Sequence, residues 1–431
     1  MKTIISFILF LFGSTSLAFA QLTIDECQQL ARENYPLIKK HQLIEQSAAY
    51  NLSNAAKAWL PQFQINVRAT YQSDVTTFPI DLSLLGALGI PFPKIPTPAK
   101  DQYQATIEAS QVLWDGGAIR AQQKLMKAGS EVERKQWGVE MYALEERVNQ
   151  LFFGILLLNE QLKQNQLLTD ELERNFTTVR KYMENGVATP SDLDVVRVEQ
   201  LNAKQMRTQL QSVRKAFVEM LGIMTGNKLD ENTDFIKPDI ERSVMVANFY
   251  PLINRPELQL FEAQNNLFDS QKSLIKSAST PKLGLFLQGG LGRPGLNMLS
   301  NEFDLFYIGG IRLSWNFGTL YTQKNDLQKI EINKNIVETQ KELFLYNIGL
   351  AVRRENQEIE RLRSLMREDD EIIVLRENIR KSTEAKVANG AATVTDLMRE
   401  LTHENLARQT KAAHEIDLLA AIYNLKNTTN N

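Results

Sequence analysis

Two stretches of the chain, residues 181–193 and 385–397, share a pattern at a constant shift of 204 residues (Gly390 minus Gly186). Glycine, and to a lesser degree asparagine, tolerates the left-handed conformation that ends a helix. A threonine followed three residues later by an acid starts a new helix. Each stretch therefore predicts the tip of a helical hairpin, and the chain has two. The residues Asn185, Gly186, Thr189, Asp192 and Leu193 recur as Asn389, Gly390, Thr393, Asp396 and Leu397.

Matching landmarks extend this duplication to most of the chain. Pro36 and Pro61 are matched by Pro256 and Pro281, each 220 residues later (256 minus 36, 281 minus 61). Each half reads as helix, strand, loop, strand, long helix, tip and returning helix, which predicts an internal repeat. The expected segments are a signal peptide at 1–20, a first repeat at 21–221, a linker at 222–250, a second repeat at 251–426 and a polar tail at 427–431.

Four segments alternate apolar and polar residues with the period of a β-strand: about 62–72, 103–114, 282–290 and 304–317. Runs of about ten alternating residues are typical of strands in membrane barrels, whereas strands of soluble sandwiches are usually nearer five or six. In the second segment, alternation counted from Tyr103 places Leu113 on the apolar side. Arg68 of the first segment and Glu108 of the second fall on the polar sides, which we expect to face the water-filled interior (lumen) of a barrel. The residues that we expect to face lipid are Phe63, Ile65, Val67, Leu283, Leu285 and Leu287.

The remaining sequence is helical in period. Residues 23–57 predict one helix, and proline-free runs at 118–185 and 320–389 predict two very long ones. Roughly 70 helical residues span about 100 Å, a length that indicates coiled-coil or similar extended packing.

The ends and composition of the chain indicate export. Lys2, the apolar run 4–12 and the small-residue pattern 18–20 form a secretory signal. A net charge of −2 and a pI near 6.1 give no reason to expect nucleic acid as a partner. The single cysteine, Cys27, excludes an internal disulfide bond.

No pattern of catalytic or metal-binding residues stands out. The chain has three histidines, His41, His403 and His414, and the last two are eleven residues apart on one predicted helix, about 16 Å along its axis. No cysteine or carboxylate cluster supplies further ligands, and no nucleophile triad or phosphate loop is present. We therefore expect neither an enzyme nor a metal or other cofactor.

Four long strands cannot close a membrane barrel within one chain, since such barrels begin at about eight strands. Open sheet edges in lipid leave backbone groups unpaired at a cost of several kcal/mol each. The chain is therefore expected to share its strands with other copies. Three copies give twelve strands around an aqueous lumen, and two would give a nearly filled eight-stranded interior. The sequence favours a homotrimer.

These features resemble the TolC family of outer-membrane efflux channels over nearly the whole mature sequence. The resemblance is carried by the two Asn-Gly tips, by Trp114-Asp115-Gly116-Gly117 at the end of a strand, and by the prolines before the strands. It implies a mainly α fold with a membrane β-barrel: a trimeric twelve-stranded barrel continued by a periplasmic α-barrel of long hairpins. The implied partners are outer-membrane lipid, a periplasmic adaptor protein and an inner-membrane pump of the RND or ABC type.

The resemblance also implies roles at the tips. Asp396 matches an aspartate that narrows the pore entrance in characterised members, and Asp192 one that helps to latch the tips closed. Two residues depart from the pattern: Ala392 replaces an arginine of the closing network, and Arg399 replaces a second pore aspartate. The residues expected to contact the adaptor are Gly186, Val187, Thr189, Gly390, Ala391 and Thr393.

The function that follows is a passive exit duct for small toxic compounds in a tripartite efflux pump. Protein export through a type I secretion system fits the same polar lumen. An exported coiled-coil scaffold or adhesin is the alternative of another class. The proline-rich loop 73–100, with its apolar centre 82–90, could be a flexible loop, a lid or a partner contact.

Overall fold

The computed structural model describes residues 21–77, 97–246 and 252–430. The predicted signal peptide, the apolar stretch 82–90 and the end of the predicted linker lie outside these residues. The helices are α1 (Ile24–Asn34), α2 (Leu37–Lys57), α3 (Ala118–Glu184), α4 (Pro190–Thr225), α5 (Ile240–Val246), α6 (Pro256–Ala278), α7 (Thr319–Ala388) and α8 (Val394–Thr429). The strands are β1 (Gln62–Tyr71), β2 (Asp101–Trp114), β3 (Lys282–Arg293) and β4 (Asp304–Ser314). A mainly helical chain with four strands confirms the predicted fold class.

The chain forms two compact units, and each combines parts of both repeats. The first contains the residues up to His41, Gln136–Gln259 and the residues from Lys341 onward. The second contains Gln42–Lys135 and Leu260–Gln340, and therefore the whole sheet. Each long helix contributes residues to both units.

The predicted helix at 23–57 is two helices, α1 and α2. Thr23 caps α1 with Glu26 in a capping box, as the sequence predicts. The helix stops because Pro36 disfavours the helical conformation for Tyr35, which is extended at φ −65° and ψ 134°. The chain becomes helical again at Leu37.

Helix α8 continues into the predicted polar tail. It ends at Thr429, whose hydroxyl donates to the carbonyl of Leu425 at 3.0 Å. Asn430 adopts the left-handed conformation, with φ 58°, and its N–H donates to the carbonyl of Lys426 at 2.7 Å. The polar residues are thus the last turn and the cap of the helix.

The first unit is held together by a buried apolar cluster from α1, α3, α4 and α8. Phe152 lies at its centre, fully buried, with its ring 5.8 Å from those of Phe153 and Phe235. The cluster also includes Ile24, Cys27, Leu144, Val148, Ile155, Leu221, Ile416 and Leu419. Cys27 is 0% exposed, and burial raises the pKa of its thiol to about 12, so it serves as a small apolar core residue.

The sheet of the second unit is antiparallel, with its strands in the order β1-β2-β3-β4. Its ends differ from the predicted ones: β3 continues to Arg293 rather than 290, and β4 stops at Ser314 rather than 317. The glycines of β3 predict that the strand ends at 290. In the structure, Gly290 lies against the ring of Phe306 instead: a Cβ added at Gly290 would be 2.9 Å from the ring carbon Cζ. Glycine here makes room for an aromatic ring on the next strand.

Candidate functional site

The first hairpin tip follows the end of α3 and is closed by backbone hydrogen bonds. Gly186 has a φ of 74°, and the N–H of the next residue, Val187, donates to the carbonyl of Tyr182 at 2.8 Å. A bond of this span beside a left-handed glycine is a Schellman ending, which satisfies a carbonyl of the last helical turn. Nothing lies within 4 Å of an added Cβ at Gly186. The glycine is therefore required by its backbone angle and not by packing.

The second tip repeats this geometry after α7. Gly390 has a φ of 70°, and the N–H of Ala391 donates to the carbonyl of Lys386 at 2.8 Å. An added Cβ at Gly390 also meets nothing within 4 Å. Two segments of the same sequence pattern thus adopt the same local structure.

Both tips lead into a helix through a complete capping box. In the first, the hydroxyl of Thr189 donates to Oδ2 of Asp192 at 2.7 Å, and the N–H of Asp192 donates to Oγ1 of Thr189 at 3.3 Å. In the second, Thr393 and Asp396 form the same bonds at 2.7 and 3.1 Å. The carboxylates satisfy backbone donors that the first helical turn cannot pair internally.

The two carboxylates differ in their charged neighbours. Arg399 donates from Nη2 to Oδ1 of Asp396 at 3.1 Å, whereas no described cation lies within ion-pair distance of Asp192. Hydrogen bonds from the hydroxyl and the N–H of Thr393, followed by the charge of Arg399, lower the pKa of Asp396. Arg399 also contacts Glu400 at 3.4 Å. The negative charge of Asp396 is thus accompanied by a cation of its own helix.

The two hairpins pack together behind their tips through a buried apolar cluster. Val196 of α4 is 0% exposed, and Val179 of α3 is 1% exposed. Leu397 and Met398 of α8 are each 4% exposed. The cluster is completed by Leu172, Ala203, Val387, Val394 and Leu401. Burial of apolar surface from both repeats fixes the positions of the two tips relative to each other.

An ionic network lies among α3, α7 and α8. Glu404, 7% exposed, accepts from Nε of Arg380 at 2.7 Å and from Nη2 of Arg408 at 2.8 Å. Arg380 also approaches Glu171 of α3 at 3.4 Å. A buried carboxylate with two arginines is fully compensated, so this network connects both hairpins without an unpaired charge.

The sheet has one apolar face. Phe63 is opposite Ala109, which is opposite Leu287, so these residues form one row across three strands. Because alternate residues of a strand share a face, the six predicted lipid-facing residues lie on this side. On the edge strand β1, Phe63, Ile65 and Val67 are 71–77% exposed.

The opposite face is polar and contains Arg68 and Glu108, as the alternation predicts. Glu108 accepts from Nη1 of Arg312 at 3.1 Å. The guanidinium carbon of Arg312 lies 4.4 Å from the ring centroid of Phe286, on the intervening strand. The charge of Arg312 is thus balanced by Glu108 and by an aromatic face.

One end of the sheet carries tryptophans on its apolar face. A register irregularity between Val112 and Trp114 places Trp114 opposite Leu283. Leu283 is opposite Leu313, so Trp315, two residues further, continues the same face. The alternation counted from Tyr103 would have given this position to Leu113. Aromatic residues at strand ends are characteristic of membrane–water interfaces.

The described helices include none with both the length and the apolar character to cross a membrane. Groups of three or more histidine, cysteine, aspartate or glutamate side chains suited to a metal ion are absent from the part of the chain that the structure describes.

Sequence reasoning missed the ion pairs around these sites. Asp396 and Arg399 are three residues apart on a helix, and that spacing alone favours a pair. Glu404 with Arg380 and Glu108 with Arg312 are contacts between different elements, so no local sequence signal could have found them. The tip geometry, in contrast, is local and follows from the residues themselves.

Comparisons with known proteins agree with this architecture. The sequence model of one protein family, described as outer membrane efflux protein, matches residues 28–227. That range covers the sheet strands β1 and β2 and the first hairpin. No curated protein matches the chain in sequence.

Three solved structures illustrate the similarity of fold. The CmeC outer membrane channel of Campylobacter jejuni aligns with a TM-score of 0.66 at 12% identity, covering 94% of this chain and 85% of its own. The outer membrane protein VceC of Vibrio cholerae gives 0.67 at 11% identity, with coverages of 93% and 95%. The open state of the Neisseria gonorrhoeae MtrE channel gives 0.63 at 12% identity, with coverages of 94% and 88%. These likenesses show a shared fold over nearly the whole chain, including the second repeat.

Proposed function

Because the outer membrane efflux protein model matches residues 28–227 and solved channels share the fold over nearly the whole chain, we propose that the chain is a member of that family and the outer-membrane channel of a tripartite efflux system. It conducts small toxic compounds passively from an inner-membrane transporter and a periplasmic adaptor to the outside. The sheet lies in the outer membrane and the helical part in the periplasm. Proteins of this family are passive channels and not enzymes.

The contrast between the two faces of the sheet is the observation that supports this proposal most directly. One face has the apolar rows of β1 and β3, and the other has glutamine, threonine and charged side chains. The edge strands β1 and β4 each have a partner on one side only among the described strands. In lipid those edges require pairing, because an unpaired backbone group costs several kcal/mol there. A homotrimer provides that pairing with twelve strands, and homotrimers are the rule for these channels.

We assign Phe63, Ile65, Val67, Leu283, Leu285 and Leu287 to the lipid contact. Their shared face and the exposure of those on β1 support the assignment. The polar face, with Arg68 and Glu108, then lines the aqueous lumen, where charge is cheaply solvated.

The tips are the proposed contact with the adaptor. Gly186, Val187 and Thr189, with Gly390, Ala391 and Thr393, lie on two turns of the same geometry. Val187 is 57% exposed, although it is apolar, and the glycines are exposed as well. A small apolar projection beside accessible backbone suits docking of another helical tip.

Asp396 and Asp192 are assigned to the pore entrance. Both carboxylates also cap helices, so their structural role accompanies the proposed one. Because Arg399 pairs with Asp396, we expect a weaker cation preference at this entrance than two unpaired aspartate rings would give.

Conductance of the purified full-length protein in a planar lipid bilayer tests the proposed function. A channel gives discrete current steps, and the protein runs as a trimer after extraction in mild detergent. Asp396→Asn changes the cation preference if this residue lines the entrance. Asp194→Asn, an exposed carboxylate in the second turn of α4, is the matched control. A monomeric protein without discrete conductance contradicts the proposal, and it then favours the scaffold alternative.

A further inference from the structure

A cavity of about 340 Å³ opens at the end of the sheet where β1 finishes and β2 begins. Two arginines, Arg68 and Arg293, line it, and so do glutamine and threonine side chains. No aspartate or glutamate is among its described lining residues. The cavity therefore combines positive charge with neutral hydrogen-bonding groups.

Arg68 contributes a positive charge that no carboxylate balances within the described residues. Its one hydrogen bond there runs from Nη2 to Oε1 of Gln104, at 3.0 Å. A guanidinium has five N–H donors in a planar fork, so most of the donors of Arg68 remain for a ligand. Arg312, on the same face, is different because it is paired with Glu108 at 3.1 Å.

Arg293 also lines the cavity, but it lies on the other face of the sheet from Arg68, because it is opposite Tyr103, which is opposite Ala69 in the alternation of Phe63. It pairs with Asp101, and its guanidinium carbon lies 5.2 Å from the ring centroid of Tyr103 and 5.5 Å from that of Phe303. Its Nε is buried and has no acceptor among the described residues. The carboxylate of Asp101 balances the charge of Arg293, so Arg68 carries the net positive charge of the cavity lining.

The amide side chains complete the lining. Gln72 and Gln102 hydrogen-bond each other, with distances of 3.0 and 3.2 Å in the two directions. The nearest carboxylate in the row of Arg68 is Asp304, which follows Gln104 and Gly292 across the sheet and lies on the opposite edge strand. Donors thus converge on the cavity from β1, its end and β2, and the acids lie outside it.

We propose that this cavity binds a small organic anion that carries a carboxylate or a phosphate. Arg68 makes the bidentate contact, and the glutamine amides on its face hydrogen-bond the rest of the ligand. The anion is either a solute within the lumen or the phosphate of a lipid headgroup. The lumen assignment rests on the proposed function, whereas binding itself does not.

Calorimetric titration of the full chain in neutral detergent with citrate and with inorganic phosphate tests this site. Arg68→Gln should weaken the binding about tenfold or more, because charge-assisted bidentate bonds are lost. Arg68→Lys keeps the charge but loses the planar fork of donors, so its affinity should lie between those of Arg68→Gln and the unmodified protein. Arg312→Gln, an arginine of the same face outside the cavity, should leave affinity within about twofold, as expected for a residue whose charge is already paired. Equal affinities of Arg68→Gln and the unmodified protein overturn the proposal, as does the absence of binding.

Two further measurements identify the source of the bound anion and separate the anion site from the proposed channel function. Phosphate affinity is measured in vesicles of phosphatidylcholine with and without phosphatidylglycerol. A loss of affinity with phosphatidylglycerol assigns the site to headgroups, and an unchanged affinity assigns it to solutes. Citrate binding without conductance contradicts the proposed function alone. Conductance without citrate or phosphate binding contradicts the anion site alone.

Discussion

Glu108 and Arg312 form an ion pair of 3.1 Å that crosses the strand between them, over the ring of Phe286. The side chain of Arg312 is 55% exposed and that of Glu108 is 21% exposed. An ion pair of this exposure contributes at most about 1 kcal/mol to stability. Its main consequence is electrostatic, because it removes two charges from the polar face.

Replacing Arg312 with glutamine should therefore make the channel more selective for cations, since Glu108 is left unpaired. The reversal potential in a salt gradient measures this shift, and thermal unfolding should change little. The double variant Glu108→Gln with Arg312→Gln removes both charges and should return the reversal potential close to its original value. A shift of equal size in the double variant would show that the pair does not control selectivity.

The tip glycines should be sensitive to alanine for a reason confined to the backbone. At φ values of 74° and 70°, alanine in place of Gly186 or Gly390 should cost about 1–2 kcal/mol each. Gly349, inside α7, also has nothing within 4 Å of an added Cβ but no positive φ. Gly349→Ala should stabilise the protein by roughly 0.5–1 kcal/mol. Urea unfolding in detergent compares the three variants, and destabilisation of the same size at all three positions would contradict the argument.

These tips also show how much of the structure the sequence determines locally. Glycine, threonine and aspartate at fixed spacing specify the turn and the cap, and both copies form as predicted. The break before α2 arises because Pro36 restricts the backbone of Tyr35 to an extended conformation. The prediction of a single helix over 23–57 underestimated this restriction. The displaced register at Trp114 depends on the neighbouring strand β3, so the alternation of β2 alone could not reveal it.

Acid should weaken the second tip through Asp396. Its pKa is lowered in the folded protein by hydrogen bonds from Thr393 and by Arg399. The resulting stabilisation is present above the ordinary value of 3.8 and is lost as the pH falls through the lowered folded pKa. The difference in unfolding midpoint between the unmodified protein and Asp396→Asn should therefore be constant near neutral pH and shrink below about pH 4. A difference for Asp396→Asn that does not change with pH would contradict this origin.

The final prediction distinguishes the two faces of the sheet with adjacent residues of β1. Val67→Lys places a charge on the apolar face and should cost about 2–4 kcal/mol if that face meets the bilayer core. Asn66→Lys places the same charge on the polar face, where water solvates it, so assembly should be nearly unaffected. Both positions are adjacent on one exposed edge strand, so place in the strand and burial are matched. Membrane fractionation with trimer yield measures the outcome, and equal yields for the two variants would contradict the lipid-facing assignment.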